Sequence, residues 1–113
     1  EKVTAWSDPA VPVDPDGILT TASLYWFTRT AGSSAHLYYE GAHDPAAWAP
    51  KEPSGVPTGV LVSMSQDVAV RRFAERAHHV VRWTEVERGG HFLAAENPGA
   101  FVDDLWAFFG ALR

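Results

Sequence analysis

The sequence of 113 residues contains no cysteine. Disulfides, thiolate nucleophiles and cysteine metal sites are therefore excluded within it, and the redox compartment is left undetermined. Long apolar runs are also missing, since none approaches the roughly twenty residues that span a bilayer. The charged start Glu1-Lys2-Val3 does not resemble a signal peptide. We therefore expect a soluble chain without a membrane span, with a cytoplasmic location as the default only.

Basic residues are few, with 9 Lys and Arg against 14 Asp and Glu. Because the two signs are interspersed, no basic stripe is available for phosphates or for an anionic membrane surface, and nucleic acid is not an expected partner. The composition, 46% hydrophobic and 12% aromatic, suffices for one packed domain. Four histidines have no zinc-site spacing, so we predict surface positions for them and no metal or cofactor: His36, His43, His78 and His79.

The first half of the sequence predicts helices joined by loops. Residues 6–15, rich in Pro and Asp, are typical of an extended linker or a lid-edge segment that packs little by itself. Apolar residues at helical spacing predict a helix over 17–31. Ser33 and Ser34 are candidate caps of a second helix that ends near Gly41, followed by a proline-rich surface loop over 42–55.

The second half predicts a strand, a helix, a strand and a last helix. The β-branched run 56–64 indicates a buried strand, with Pro57 at its beginning. A helix over 68–79 and a strand from Val80 would complete a parallel βαβ unit. Asn97-Pro98 is a helix start, and the apolar face beyond it indicates a helix to the chain end.

The chain is organised around Gly89-Gly90-His91-Phe92. Two glycines permit a sharp turn, and the preceding strand places His91 at the carboxyl end of the sheet, where α/β proteins have their active sites. A histidine there can take or give a proton near neutral pH. The alternative is that the glycines form a simple turn and that His91 is a solvated loop residue.

Two parallel strands are too few for a covered sheet, so we expect part of a larger α/β protein. The order of strand, acidic residue, helix, strand, Gly-Gly-His-Phe and helix follows Ser-Leu-Tyr-Trp-Phe-Thr-Arg-Thr and Ser-Ser-Ala-His-Leu-Tyr-Tyr-Glu. From about Trp6 to Phe109 this order resembles the end of an α/β-hydrolase-fold epoxide hydrolase of the microsomal-like group, bacterial type. The resemblance implies an α/β fold, the carboxyl-terminal portion of an α/β hydrolase. Residues 1–54 would be the end of a helical lid with a connecting loop, and 55–113 the end of the core.

The resemblance also implies a catalytic set. His91 matches the family's base for water, and Asp67 matches its charge-relay acid, although Met64-Ser65-Gln66-Asp67 lacks the usual Phe-Pro before the acid. A role for Asp67 as a helix N-cap only stays open. Tyr38 matches a lid tyrosine that donates a hydrogen bond to the epoxide oxygen. Tyr39, about 100° further round the helix, is the competing candidate, and both tyrosines could instead be packing aromatics.

The family's aspartate nucleophile has no match in this sequence. The stretch 42–46 has the required small-x-Asp-x-small letters, but Pro45 removes the needed N–H, and we interpret Ser65 as a turn residue. The resemblance therefore implies a nucleophile, an oxyanion loop and a second tyrosine in an amino-terminal part of the same protein.

The implied function is opening of a small apolar epoxide to a vicinal diol, by way of an aspartyl ester that water hydrolyses. A homodimer is left open. The alternatives are another α/β hydrolase, such as a haloalkane dehalogenase or an esterase, and a ligand-binding relative without catalysis.

Overall fold

A computed structural model describes residues 2–47, 49 and 52–112. By their contacts the residues form two compact units, one of residues 1–13 with 52–113 and one of residues 14–51. The helices and strands are, in chain order, α1 (Lys2–Trp6), α2 (Pro15–Thr28), α3 (Ala31–His43), β1 (Ser54–Ser63), α4 (Arg71–Ala77), β2 (His78–Val86), α5 (Leu93–Glu96) and α6 (Pro98–Gly110). The division into a lid over 1–54 and a core over 55–113 stays a prediction.

The unit of residues 14–51 contains the two predicted helices. Asp14 caps α2, since its carboxylate accepts hydrogen bonds from the backbone N–H groups of Asp16 (3.1 Å) and Gly17 (3.0 Å). The helix ends at Arg29, whose φ of 58° is left-handed and whose N–H donates to the carbonyl of Trp26.

The second helix, α3, starts before the serines that were expected to cap it. The Ser33 hydroxyl donates to the carbonyl of Thr30 (3.0 Å), and the Ser34 hydroxyl donates to the carbonyl of Ala31 (2.8 Å). Both side chains therefore bond backwards from inside the first turn, and the predicted capping role is wrong.

In the other unit, β1 and β2 pair in parallel, as predicted, with a register from Ser54↔His78 to Ser63↔Val86. Pro57 is the fourth residue of β1 rather than its beginning. The register shifts between Ser54 and Pro57. Proline has no N–H for the ladder, and an irregularity of this kind is where a strand tolerates it.

The helix between the strands is shorter than predicted. It begins at Arg71, behind an N-cap residue, Val70, in extended conformation. His78 and His79 belong to β2, so their assignment to the polar end of a helix was wrong. His78 takes the C-cap position in extended conformation, and its N–H bonds to the carbonyl of Ala74. The chain thus passes from helix to strand without a loop.

The last helix packs on the sheet through a buried polar residue, Asp104, and an apolar residue, Phe108. Asp104 is buried, and its Oδ1 accepts hydrogen bonds from Arg82 Nε (2.6 Å) and Thr84 Oγ1 (2.6 Å) on β2. Phe108 lies against Gly59 of β1, where a Cβ would come within 2.8 Å of the phenyl ring. The glycine therefore permits close approach of α6 to the strand.

Little apolar surface is buried in either unit. Among the described residues, Val62 is the one buried hydrophobic side chain. Large side chains are exposed in both units, including Trp26 and Phe27 (each 80% exposed) and Trp106 (68%). Exposed apolar surface on this scale is typical of a surface that other protein covers. In the described part of the chain, no helix is both long and apolar enough to cross a bilayer.

Candidate functional site

The candidate site lies where β1 and β2 end together. Ser63 and Val86 are the last paired residues, and the N–H of Met64 donates to the carbonyl of Val86 (2.8 Å). The fully buried Ser63 hydroxyl donates to the carbonyl of Gly89. The turn after β1 and the loop after β2 are therefore tied together at one edge of the sheet, as expected for parallel strands.

The His91 loop, residues 89–92, needs its two glycines for different reasons. Gly89 has a φ of 101°, a backbone conformation that residues with a Cβ rarely adopt. Gly90 has an ordinary φ but no space, because a Cβ there would lie 2.5 Å from the carbonyl oxygen of Trp6 and 2.6 Å from the nitrogen of Asp8. One glycine makes the turn, and the other lets residues 6–8 approach it.

Every backbone N–H of the His91 loop donates a hydrogen bond. The donors and acceptors are Gly89 N to Asp8 Oδ2 (2.9 Å), Gly90 N to Glu96 Oε2 (2.9 Å), His91 N to the carbonyl of Trp6 (2.8 Å) and Phe92 N to Glu96 Oε1 (3.2 Å). Saturation of all four donors fixes the backbone on both sides of His91.

The His91 side chain is exposed and lies against two aromatic rings. The ring centroid of Trp6 is 4.8 Å away at an interplanar angle of 58°, and that of Phe92 is 5.0 Å away at 87°. Tilted and edge-on arrangements at these distances are favourable for aromatic rings. The imidazole is thus packed laterally while it stays accessible to a small molecule.

Residues 6–8, Trp6-Ser7-Asp8, form a strap across the His91 loop, which contradicts the expectation of a linker that packs little. Ser7 and Asp8 are 6% and 4% exposed. Hydrogen bonds from the N–H groups of Ala10 and Gly89 hold the pKa of Asp8 below its ordinary value, and the Arg88 charge adds to this effect while burial opposes it. The carboxylate is therefore charged where it meets the loop.

Asp67 lies in the turn after β1, where its Oδ2 accepts a hydrogen bond from the N–H of Ser63 (2.9 Å). The suggested helix N-cap role is wrong, because α4 begins only at Arg71 behind Val70. Among the described residues, no hydrogen bond joins Asp67 to His91, and Asp67 Oδ1 accepts none. The charge-relay role of Asp67 stays a prediction.

Gln66, which the sequence did not single out, joins the same turn to the strap. Its Nε2 lies 3.0 Å from the carbonyl oxygen of Ser7 and 3.3 Å from that of Ala5. Because Trp6 lies between these two carbonyls and contacts His91, Gln66 connects the end of β1 to the surroundings of the imidazole.

The two candidate tyrosines differ in their contacts on α3. The Tyr39 ring stacks on His43 at 4.1 Å and 26°, and His43 Nδ1 lies 2.7 Å from the carbonyl oxygen of Tyr39. Tyr38 is 77% exposed and Tyr39 64%. Tyr39 is therefore engaged within its own helix, and its neighbour Tyr38 is the more exposed of the two. No cluster of three or more metal-ligating side chains occurs in the described residues.

A parallel strand-helix-strand unit with a histidine loop at its carboxyl edge is an arrangement of α/β proteins, which have their sites at that edge. The structure is similar to juvenile hormone epoxide hydrolase from the silkworm Bombyx mori, with a TM-score of 0.84 and 25% identity over 99% of this chain and 32% of that chain. This similarity confirms the predicted fold class, a carboxyl-terminal portion of an α/β-hydrolase fold with two parallel strands and flanking helices.

Curated relatives are named as epoxide hydrolases. The chain is 36% identical over 119 aligned positions to one from Stigmatella aurantiaca, covering 100% of this chain and 26% of the relative. It is 32% identical to juvenile hormone epoxide hydrolase of Manduca sexta (81% of this chain, 21% of the relative) and 30% identical to epoxide hydrolase 1 of Sus scrofa (87% and 22%). No family model matches the chain.

The chain thus spans about a quarter of the length of the curated relatives it matches. Over that span, the predicted resemblance to epoxide hydrolases is confirmed.

Proposed function

We propose that the complete protein carrying this chain is an epoxide hydrolase that converts a small apolar epoxide to a vicinal diol through an aspartyl ester. The observation that carries the proposal is the exposed imidazole of His91 on a hydrogen-bonded loop at the sheet edge, in a chain similar throughout to named epoxide hydrolases. The nucleophilic aspartate and a second tyrosine would come from an amino-terminal part of the protein.

In the first step, a carboxylate oxygen attacks one epoxide carbon and the bond from that carbon to the epoxide oxygen breaks. The oxygen leaves as a developing alkoxide, which needs a proton donor. A phenol with a pKa of about 10 still carries its proton at neutral pH and can therefore donate it. Tyr38 supplies this proton; the exposure of Tyr38 and the stacking of Tyr39 on His43 support the choice between the two.

In the second step, one imidazole nitrogen of His91 takes a proton from water as the water oxygen attacks the ester carbonyl. The acyl–oxygen bond then breaks, and the diol oxygen takes the proton from the imidazolium. The acid proton of the regenerated aspartate returns to the Tyr38 phenolate, so that the carboxylate, the phenol and the neutral imidazole are all restored. Asp67 accepts the N–H of the other imidazole nitrogen. Support for this role comes from the position of Asp67 at the same sheet edge and from its Oδ1, which accepts no hydrogen bond among the described residues.

The amino-terminal part of the protein is the proposed cover for the exposed apolar side chains. A domain whose described residues bury one hydrophobic side chain has little to offset the conformational entropy lost on folding. Pairing of the free edge of a strand with further strands would also remove an aggregation-prone edge. Both arguments favour assembly with more of the same chain.

A single turnover in heavy-oxygen water tests the proposal, with the complete protein in excess over styrene oxide. The diol should leave unlabelled, because its new oxygen comes from the aspartate, and the label should appear in the protein. Labelled diol in the first turnover would exclude the ester. Turnover of a chloroalkane or an aryl ester without any epoxide opening would instead identify a dehalogenase or an esterase.

A further inference from the structure

We propose that Glu96 is a positioning residue for His91, acting together with the Trp6–Asp8 strap. The inference deepens the proposed function and rests on it. One carboxylate fixes the backbone on both sides of His91 and also anchors the strap that lies against the imidazole. Glu96 is the last residue of helix α5, and the proposed function gives it no chemical task.

Three backbone N–H groups converge on the Glu96 carboxylate. Oε2 accepts from Gly90 (2.9 Å) and from Asp8 (2.7 Å), and Oε1 accepts from Phe92 (3.2 Å). Gly90 and Phe92 are the two neighbours of His91 in the chain. The carboxylate therefore fixes the backbone immediately before and immediately after the histidine.

The strap holds the His91 loop through contacts of its own. The carbonyl of Trp6 accepts the His91 N–H at 2.8 Å, and the indole lies 4.8 Å from the imidazole. Asp8 Oδ2 accepts the N–H of Gly89 at 2.9 Å. Because the Asp8 N–H bonds to Glu96, displacement of the Glu96 side chain removes hydrogen bonds from both the loop and the strap.

A carboxylate suits this position because it has two accepting oxygens and no hydrogen. Three fixed N–H groups reach it, and none of them can rotate away. In Glu96→Gln, the amide has one accepting oxygen, so its NH₂ group must face at least one of these N–H groups. The variant keeps the size of the side chain but cannot accept hydrogen bonds from all three N–H groups in the same arrangement.

The kinetic consequence falls on the step that uses His91. Ester formation needs the nucleophile and the tyrosine donor, whereas ester hydrolysis needs a correctly aimed imidazole. A displacement of about 1 Å can slow a reaction roughly 100-fold. We therefore expect Glu96→Gln to slow ester hydrolysis by about 10- to 100-fold and to leave the rate of ester formation unchanged.

Rapid-quench measurements on the complete protein with styrene oxide separate the two steps. Intact-mass analysis follows the ester as it forms and decays in wild type and in Glu96→Gln. Glu87→Gln is the matched control, because it removes the same charge at an exposed residue next to the loop. Both rate constants of Glu87→Gln should equal those of wild type.

The decay constant distinguishes positioning from damage to the fold. A partly unfolded variant forms less ester, but the ester on its folded fraction decays at the normal rate. If Glu96→Gln does not fold, Asp8→Asn supplies the test. The NH₂ group of the new amide would face the N–H of Gly89 or that of Ala10, so one of these two hydrogen bonds is lost. Slower decay at a normal rate of formation in either variant supports the proposal.

His91→Gln serves as the reference that separates the two hypotheses. The positioning role alone is overturned if the ester persists in His91→Gln but decays in Glu96→Gln as fast as in wild type. Where Glu96→Gln does not fold, the same result in Asp8→Asn overturns it. Formation and decay slowed by the same factor would also overturn it. Absence of any ester, in wild type and in His91→Gln alike, would refute the proposed function itself.

Discussion

The contact between Gly90 and the strap leads to a prediction that the backbone geometry makes quantitative. In Gly90→Ala, the new Cβ would lie 2.5 Å from the Trp6 oxygen, 2.6 Å from the Asp8 nitrogen and 2.8 Å from the Ser7 carbonyl carbon. These are backbone atoms, so no flexible side chain can move aside. The strap itself must shift away from the loop.

The shift has two costs. Insertion of a methyl group into a packed contact costs about 1–3 kcal/mol. The hydrogen bonds from His91 N to Trp6 and from Asp8 N to Glu96 also lengthen, and each contributes about 0.5–1.5 kcal/mol. Since the contact partly relaxes, we expect a loss of about 2–4 kcal/mol in the free energy of unfolding.

Denaturant unfolding of the complete protein measures this loss, with Gly99→Ala as the control. A Cβ at Gly99 meets nothing within 4 Å, and the residue lies in helix α6. Alanine should therefore raise stability there by about 0.5–1 kcal/mol. If Gly90→Ala were as stable as wild type, the strap would not contact the loop as described. Equal losses in both variants would point to a general effect of glycine replacement.

Four further outcomes are expected. Tyr38→Phe should slow ester formation by roughly 10- to 1000-fold, the range for loss of one donor to an oxyanion, and rapid quench should show Tyr39→Phe near wild type. Asp67→Asn should accumulate ester, less than His91→Gln does, because the imidazole loses its orientation and not its presence. Folding lowers the pKa of Asp8, so its ionised form stabilises the protein above about pH 4, and this contribution is lost as the pH falls further. In Asp8→Asn, the free energy of unfolding should therefore fall less steeply with decreasing pH in the acid range than it does in wild type. Residues 1–113 expressed alone should show no cooperative thermal transition, and a sharp two-state melt of the monomer would contradict the proposed need for further strands.

Features with local signals were predicted well from the sequence. The apolar run of β1, the strand before Gly89 and the helix start at Pro98 each depend on neighbouring residues, and the structure contains all three. Even the direction of strand pairing followed, because a helix between two buried strands favours a parallel unit. The position of His91 at the sheet edge is a consequence of this order.

Features that depend on distant residues were missed. The strap has no hydrophobic period, and its main hydrogen bonds join Asp8 to Gly89 and to Glu96, more than eighty residues away in sequence. The need for glycine at position 90 also comes from the contact with the strap, and not from the turn that the loop makes. His78 and His79 were misassigned because a polar pair after a helix resembles a helix end, whereas pairing with β1 decides their conformation.

Intact-mass analysis of His91→Gln tests the central claim most directly. If His91 serves only as the base for water, the epoxide ring still opens in this variant and the ester forms. The complete protein mixed with styrene oxide should then carry the added mass of one epoxide for many wild-type turnover times. Conversion of epoxide to diol by this variant at a near-normal rate would contradict the account, because another group would then have to activate the water.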